Sequence, residues 1–445
     1  MMAVTIKGSY TVSPMETTWC GRMPLTEWDQ TGTVTHVPTI YFYHPPQNRT
    51  YSTIVSTLKN SLSRVLVPFY PLAGRLHSIP NGRLELHCNA TGVPFVVAES
   101  SSPLQHLADD FSVSRLSSEH HPLVPTVDYT LLIHEVPLLL IQLTRFACGG
   151  VSIGMTISHA VVDGPSAAHF MYEWARLARG EPLQTSPFHD RRVLRAREPP
   201  SAPLTDCHVH KEFHHPPLLL GKNDNAEERK KKTTMAVLKL SKTQVETLKR
   251  RANENGSCYN YSRYESVAAH IWRSACMARG HKHVQPTQLI VTVDTRCRMK
   301  PALPKGYFGN ATLDIAAFGL AGDLVTKSLG YVCGIIRGAI EKVDDEYIRS
   351  EIEFLKNQED LRRIHQNETF YGNPNLAVVS WLTLPMFGMD FGWGKEVLMV
   401  PATHDFDGDF MLLPGPHGDG SLLVALGLQL AHVDAFKKHF YLDIE

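Results

Sequence analysis

No stretch of this 445-residue chain reaches about eighteen apolar residues, the length a helix needs to cross a bilayer. The opening Met1–Tyr10 lacks the apolar core of a secretory signal, so neither secretion nor membrane spanning is expected, and a cytoplasmic location is. Eight cysteines are scattered along the chain without one C-x-x-C pair, which argues against a disulfide framework and against a zinc site. An excess of one charge is also missing: 44 basic side chains balance 44 acidic ones. That balance excludes the basic face of a nucleic-acid binder and leaves a monomer without macromolecular partners as the expectation. There is no Walker A segment, no G-x-G-x-x-G and no internal repeat, so no bound nucleotide cofactor is expected. Sequons such as those at Asn89 and Asn367 carry no weight in a chain without a signal segment.

What is present is ordinary for a folded enzyme, with 43% hydrophobic and 20% charged residues. The length exceeds what one compact core accommodates, so two domains are expected. Strand and helix signals alternate in the first half. Thr39–Tyr43 is aromatic and β-branched, Leu138–Thr144 and Val151–Ile157 read as a hairpin through Cys148-Gly149-Gly150, and Ile54, Leu58, Leu62 and Val65 recur at helical spacing. Pro165 opens a second helix that Gly180 closes. From Phe188 to Lys232 prolines interrupt every pattern and the run Glu227–Lys232 reads as solvated, so this stretch is assigned as a crossover. Regular signals resume after Thr234. The predicted organisation is a mixed α/β chain with a first domain over 1–187, a linker over 188–232 and a second domain over 233–445.

Two motifs carry the chemistry. His159-Ala-Val-Val-Asp163-Gly164 follows a buried strand, and a histidine leaving a strand end is placed to take and return a proton near neutral pH. Far downstream stands Asp390-Phe-Gly-Trp393-Gly, two aromatics set between glycines. Other patterns mislead. Gly150-Val-Ser152-Ile-Gly154 fits the nucleophile elbow of serine hydrolases, but Ser152 opens a strand where that elbow needs a sharp turn. Cys207, His208, His210, His214 and His215 fit no metal spacing, and Asp405-Phe-Asp407-Gly-Asp409 lacks the glycine and glutamate positions of a calcium loop.

The two motifs, together with Tyr70-Pro-Leu-Ala-Gly-Arg75, Asp294-Thr-Arg296-Cys-Arg298 and Tyr307-Phe-Gly-Asn310, resemble the plant BAHD acyl-CoA-dependent acyltransferases along essentially the whole chain. Within that family, Glu227–Lys232, Gly306–Asp314, His404–Asp409 and Ala435–Tyr441 are most similar to the spermidine hydroxycinnamoyl transferases. The resemblance implies two domains of the chloramphenicol acetyltransferase type joined by a long crossover, with an active-site channel between them. It implies acyl transfer from a CoA thioester, with acyl-CoA as co-substrate and no resident cofactor or metal. His159 would be the general base. Asp163 would form a structural ion pair with Arg296 or Arg298 instead of orienting His159, and Asp390 would be structural too.

Further site residues follow as expectations. Trp393 could offer its indole N–H to the tetrahedral oxyanion. Trp381, Leu384, Phe387, Phe391 and Phe308 are candidate walls for an aromatic acyl group. Ser262 and Arg263 at a helix start, with Arg298, are candidates for the CoA phosphates. Thr383 stands where family members that acylate shikimate-type acids carry an arginine. With that handle absent and Asp405, Asp407 and Asp409 close after the second motif, a cationic polyamine, spermidine above all, is the expected acceptor. His36 completes the expected acceptor set.

Overall fold

The computed structural model describes residues 3–31, 35–47, 49–104, 122–195, 210, 213, 216–254, 260–358, 372–402, 406–442 and 444. Fifteen strands are seen among them: β1 (Val4–Val12), β2 (Gly21–Pro24), β3 (His36–Tyr43), β4 (Arg75–Ser78), β5 (Leu84–Cys88), β6 (Val93–Ser100), β7 (Leu139–Phe146), β8 (Val151–Ser158), β9 (Thr233–Leu240), β10 (Pro286–Asp294), β11 (Thr312–Leu320), β12 (Leu376–Ser380), β13 (Leu398–Pro401), β14 (Asp409–Pro414) and β15 (Leu422–Gln429). They build two six-stranded sheets, in the orders β1-β6-β7-β8-β3-β13 and β11-β10-β12-β14-β15-β9, and a small β2-β5-β4 sheet.

The hairpin read in the sequence is β7 and β8, an antiparallel pair at the centre of the first sheet. Every residue of β8 is buried, which explains its unbroken apolar sequence. One face is covered by the chain that precedes β7. There Thr156 Oγ1 donates to the Pro125 carbonyl at 3.3 Å. A Cβ on Gly154 would stand 2.1 Å from the Leu123 carbonyl, so only glycine fits. The other face carries Ile153, Met155 and Ile157 into the larger apolar core.

The chain then turns at His159 and enters the helix Gly164–Ala178. Asp163 caps it by accepting from Ser166 N at 3.0 Å, Pro165 sits in the first turn, and Gly180 follows the last turn at φ +81°. Phe170 and Trp174 are fully buried on its inner face.

Two findings depart from the sequence reading. β13, from the second half, pairs with β3 and becomes an edge of the first sheet, so the second half lends a strand to the first. The crossover is also less solvated than expected. Arg191 and Glu228 are buried, and Glu228 accepts from Lys231 at 2.6 Å, Asn373 at 3.1 Å and Gln429 at 3.3 Å. Those donors offset the cost of burying the carboxylate. His210 of the suspected histidine cluster meets Ser350 Oγ at 2.9 Å, while Cys207, His208, His214 and His215 lie outside the described residues. No group of three or more potential metal ligands exists among the described residues, and no described helix is long and apolar enough to cross a membrane.

The Asp390–Gly394 segment leads into β13 and packs on the first sheet. Phe391 meets Trp174 edge-on at 4.9 Å and Tyr43 at 6.2 Å, and stacks on Trp393 at 5.8 Å. Replacing Phe391 by Ala removes a fully buried ring from this cluster. The expected loss is about 3–5 kcal/mol of unfolding free energy, read from the denaturation midpoint. A change below about 1 kcal/mol would show that the segment does not anchor β13.

Candidate active site

His159 continues the β3–β8 ladder one step beyond the strand, donating its main-chain N–H to the Thr35 carbonyl at 2.9 Å. Its own carbonyl accepts from Asn310 Nδ2 at 2.9 Å. Strand alternation therefore sets the imidazole on the face of Ile157, Met155, Val37, Thr39 and Tyr41. Its Nδ1 is buried and meets no hydrogen-bond partner. On the same face Thr39 Oγ1 and Tyr41 OH are also buried without partners, an unusual row of unpaired polar atoms.

Asp163 does not contact that imidazole. Its carboxylate receives both terminal nitrogens of Arg296 at 2.9 Å, Ser166 N at 3.0 Å and Ala311 N at 2.8 Å. Burial alone would raise its pKa, but the Arg296 charge and these hydrogen bonds hold it below the ordinary carboxylate range. Arg298, the other candidate partner, instead donates to the Ile340 and Val343 carbonyls at 3.1 and 2.9 Å. It caps the helix Leu329–Ile340, which leaves it poorly placed as a phosphate ligand.

Three residues that the sequence reading missed complete the surroundings. Asp29, fully buried, accepts from Arg191 Nε at 2.7 Å and from Asn310 Nδ2 at 2.8 Å. Arg191 also donates to the Val161 carbonyl at 2.7 Å. Asn310 was visible only as the end of the quoted Tyr307–Asn310 segment. Asp29 and Arg191 had no local signal.

Other expected site residues fall elsewhere. The Trp393 ring lies 6.1 Å from that of Tyr43, at the end of β3 away from His36 and Ser158. The span His36–Tyr43 measures roughly 23 Å in extended chain, which removes Trp393 as an oxyanion donor. Asp390 accepts from Gly392 N at 2.7 Å and Gly394 N at 3.0 Å, and both glycines need φ near +100°. Its carbonyl accepts from Arg179. Phe391 and Phe308 are core, the latter 5.0 Å from the Phe69 ring. Leu384, by contrast, abuts Gly164, so the loop carrying Trp381, the exposed Thr383 and Phe387 does come to the His159 turn. Ser152, six positions from Ser158 on β8, is buried and makes no contact with the histidine.

The acceptor carboxylates are the clearest correction. Asp407 is buried and bound by Arg279 at 3.0 Å, Gln429 N at 3.0 Å and Asn373 N at 2.8 Å, so no charge is left for an ammonium group. Asp409 pairs with Ala377, and Ala377 with Ile290; from Ile290 to Arg296 the chain runs roughly 20 Å away toward the His159 turn. Asp405 lies outside the described residues.

His36 shares the face of Ser158, opposite to His159. It donates from Nε2 to the Pro137 carbonyl at 2.8 Å and accepts from Tyr129 OH at Nδ1. Burial pushes its pKa down to about 4, so the ring is neutral with both nitrogens engaged and cannot also hold an acceptor. A cavity of about 160 Å³ beside it, bordered by Leu76, Tyr129, Leu131 and Leu138, lies on that same far face. The helix start at Ser262 is filled by its own Glu265, which accepts from Ser262 N at 2.7 Å and pairs with Arg337. An incoming phosphate would meet that carboxylate, leaving exposed Arg263 alone of the pair as a cation.

Residues 2–443 match the Transferase family. A hydroxycinnamoyl-CoA:piscidic acid hydroxycinnamoyltransferase of Actaea racemosa is 44% identical, covering 99% of this chain and all of its own. A shikimate O-hydroxycinnamoyltransferase of Nicotiana tabacum is 38% identical over 99% and 100%. The crystal structure of vinorine synthase superposes with a TM-score of 0.75 at 22% identity, over 99% of this chain and 98% of that one, a likeness of fold.

The Asp163–Arg296 pair makes a prediction for stability. Because the folded pKa of Asp163 is depressed, its contribution is present above the unfolded value of about 4 and lost as pH falls through and below it. Asp163→Asn is expected to cost up to about 3–5 kcal/mol at neutral pH by removing the buried partner of Arg296 and leaving it only the half-exposed Asp294 at 3.1 Å, and to flatten the acid limb of stability below about pH 4. Denaturation midpoints between pH 7 and 3 measure both effects. An acid limb as steep as that of the wild type would remove Asp163 as its source.

Proposed function

The chain belongs to the BAHD acyl-CoA-dependent acyltransferases, and on that premise we propose that it transfers a hydroxycinnamoyl group from its CoA thioester to a hydroxyl of a small acceptor, with His159 as general base. The acceptor O–H gives its proton to the imidazole Nε2 as its oxygen attacks the thioester carbonyl carbon. The tetrahedral intermediate then collapses, the C–S bond breaks, and the departing sulfur takes the proton back. A thioester is already activated, so a base and tight positioning suffice, and no covalent acyl-enzyme is needed. The two halves, 1–187 and 233–445, act as domains on either side of the channel, with 188–232 as the linker.

The observation that carries this reading is the face on which His159 lies. Thr39 Oγ1 and Tyr41 OH are unpaired there, and Thr39 is about 13 Å along the strand from the pairing point of His159, within reach of a bound acceptor. Neutral hydroxyls of this kind receive an alcohol or a hydroxy acid better than a polyammonium chain. Spermidine, the finer expectation, loses the carboxylates that were to hold it. The names of the two plant relatives, on piscidic acid and shikimate, lean the same way.

His159→Ala is expected to lower kcat by about two to four orders of magnitude with CoA binding intact. Caffeoyl- or feruloyl-CoA supplies the donor, with piscidate, shikimate and spermidine as competing acceptors. Near wild-type turnover in the variant would end the base assignment, and preference for spermidine would reverse the acceptor assignment. Tyr41→Phe and Thr39→Val should each raise the acceptor KM several-fold while leaving that of the acyl-CoA within about twofold. Equal rises in both constants would mean that the face is not the acceptor side.

A further inference from the structure

We propose that Asn310, held in place by the buried Asp29–Arg191 pair, is the positioning residue that aims His159. The inference rests on His159 acting as the base. A catalytic histidine is commonly oriented through its second ring nitrogen by a carboxylate or carbonyl. Among the described residues nothing fills that role here, since His159 Nδ1 is unpartnered and Asp163 is spent on Arg296. The aim of the ring must come from the main chain.

Two bonds fix that main chain at the residue itself. One is the ladder bond from His159 N to Thr35, and the other is the bond from Asn310 Nδ2 to the His159 carbonyl. The first belongs to the sheet and the second is supplied by a side chain. The orientation of that amide is not ambiguous. Its Nδ2 lies between two acceptors, the His159 carbonyl and Asp29 Oδ1 at 2.8 Å, so the oxygen cannot take its place. Asn310 N also donates to Asp29 Oδ1 at 3.1 Å, which locks the residue from both ends.

Asp29 is in turn fixed. Thr26 N donates to its Oδ2 at 2.9 Å and Arg191 Nε at 2.7 Å. Arg191 reaches past it to the Val161 carbonyl, so one guanidinium braces the carboxylate and the far side of the same turn. Asp29, Arg191 and Asn310 are each at most 3% exposed, so water does not compete for these bonds. The three come from the N-terminal segment, the crossover and the second half, and meet at one turn, Asn310 holding the His159 carbonyl and Arg191 that of Val161.

Loss of the Asn310 bond would free the His159 peptide to tilt, and small misplacements of a reacting group cost up to about 100-fold in rate. The test is a double-mutant cycle on the full chain, with kcat, both KM values and the melting temperature measured for each protein. Asn310→Ala is expected to lower kcat about 10- to 100-fold, with the acyl-CoA KM within about twofold. In the His159→Ala background the same substitution should change the residual kcat by less than about twofold. An equal fall in both backgrounds, or no fall with His159 intact, overturns the proposal. Should Asn310→Ala not fold, the cycle is run with Arg191→Lys, which keeps a charge beside Asp29 but loses the fork to Val161, and the same two outcomes decide. Failure of the base assignment is separate: it shows as near wild-type turnover of His159→Ala alone, whatever Asn310 does.

Discussion

A carboxylate at the start of a helix, 2% exposed, cannot remain ionised without partners, and beyond the Ser166 N–H of its own helix those of Asp163 come from the other half of the chain. That requirement ties the first sheet to the exit of β10 and the start of β11. Because Asp163 is also the cap of the helix Gly164–Ala178, one ion pair sets the helix start, the turn before it and the approach of the second half. Breaking it leaves a charge with nowhere to go, which is why such pairs cost more to break than to omit. The turn that holds His159 has no regular structure of its own and inherits its geometry from these bonds.

The two sequence motifs occupy opposite ends of the same strand. At the His36 end of β3 the chain turns through His159, and at the Tyr43 end it packs under Phe391 and Trp393. The second motif is a turn that its own aspartate closes, after which β13 joins the sheet edge. Its place in the molecule is that of a seal. The His159 turn and the Asp390–Gly394 turn are thus separated by the length of β3, and the placement of β13 leaves the first sheet incomplete without a strand from the second half.

Much of this was legible from the residues. The β7–β8 hairpin, the helix after Gly164 and the helix Tyr51–Val65 follow from periodicity, proline and glycine, which are local causes. Elsewhere local signals misled. The three aspartates Asp405, Asp407 and Asp409 are close in sequence and were read as one charged surface. The fold buries Asp407 against Arg279, which stands more than a hundred residues earlier. Trp393 and His36 failed for a related reason, because strand length and face are set by register.

By itself the sequence determined the elements, the family and the histidine that leaves β8, because each depends on neighbouring residues or on an ordered set of motifs. Tertiary structure alone decided which polar groups meet. Asp29, Arg191 and Asn310 lie far apart in the chain, and no periodicity links them. Their convergence on the His159 turn is imposed by the cost of burying a charge without partners, and those partners are ones that the linear order does not name.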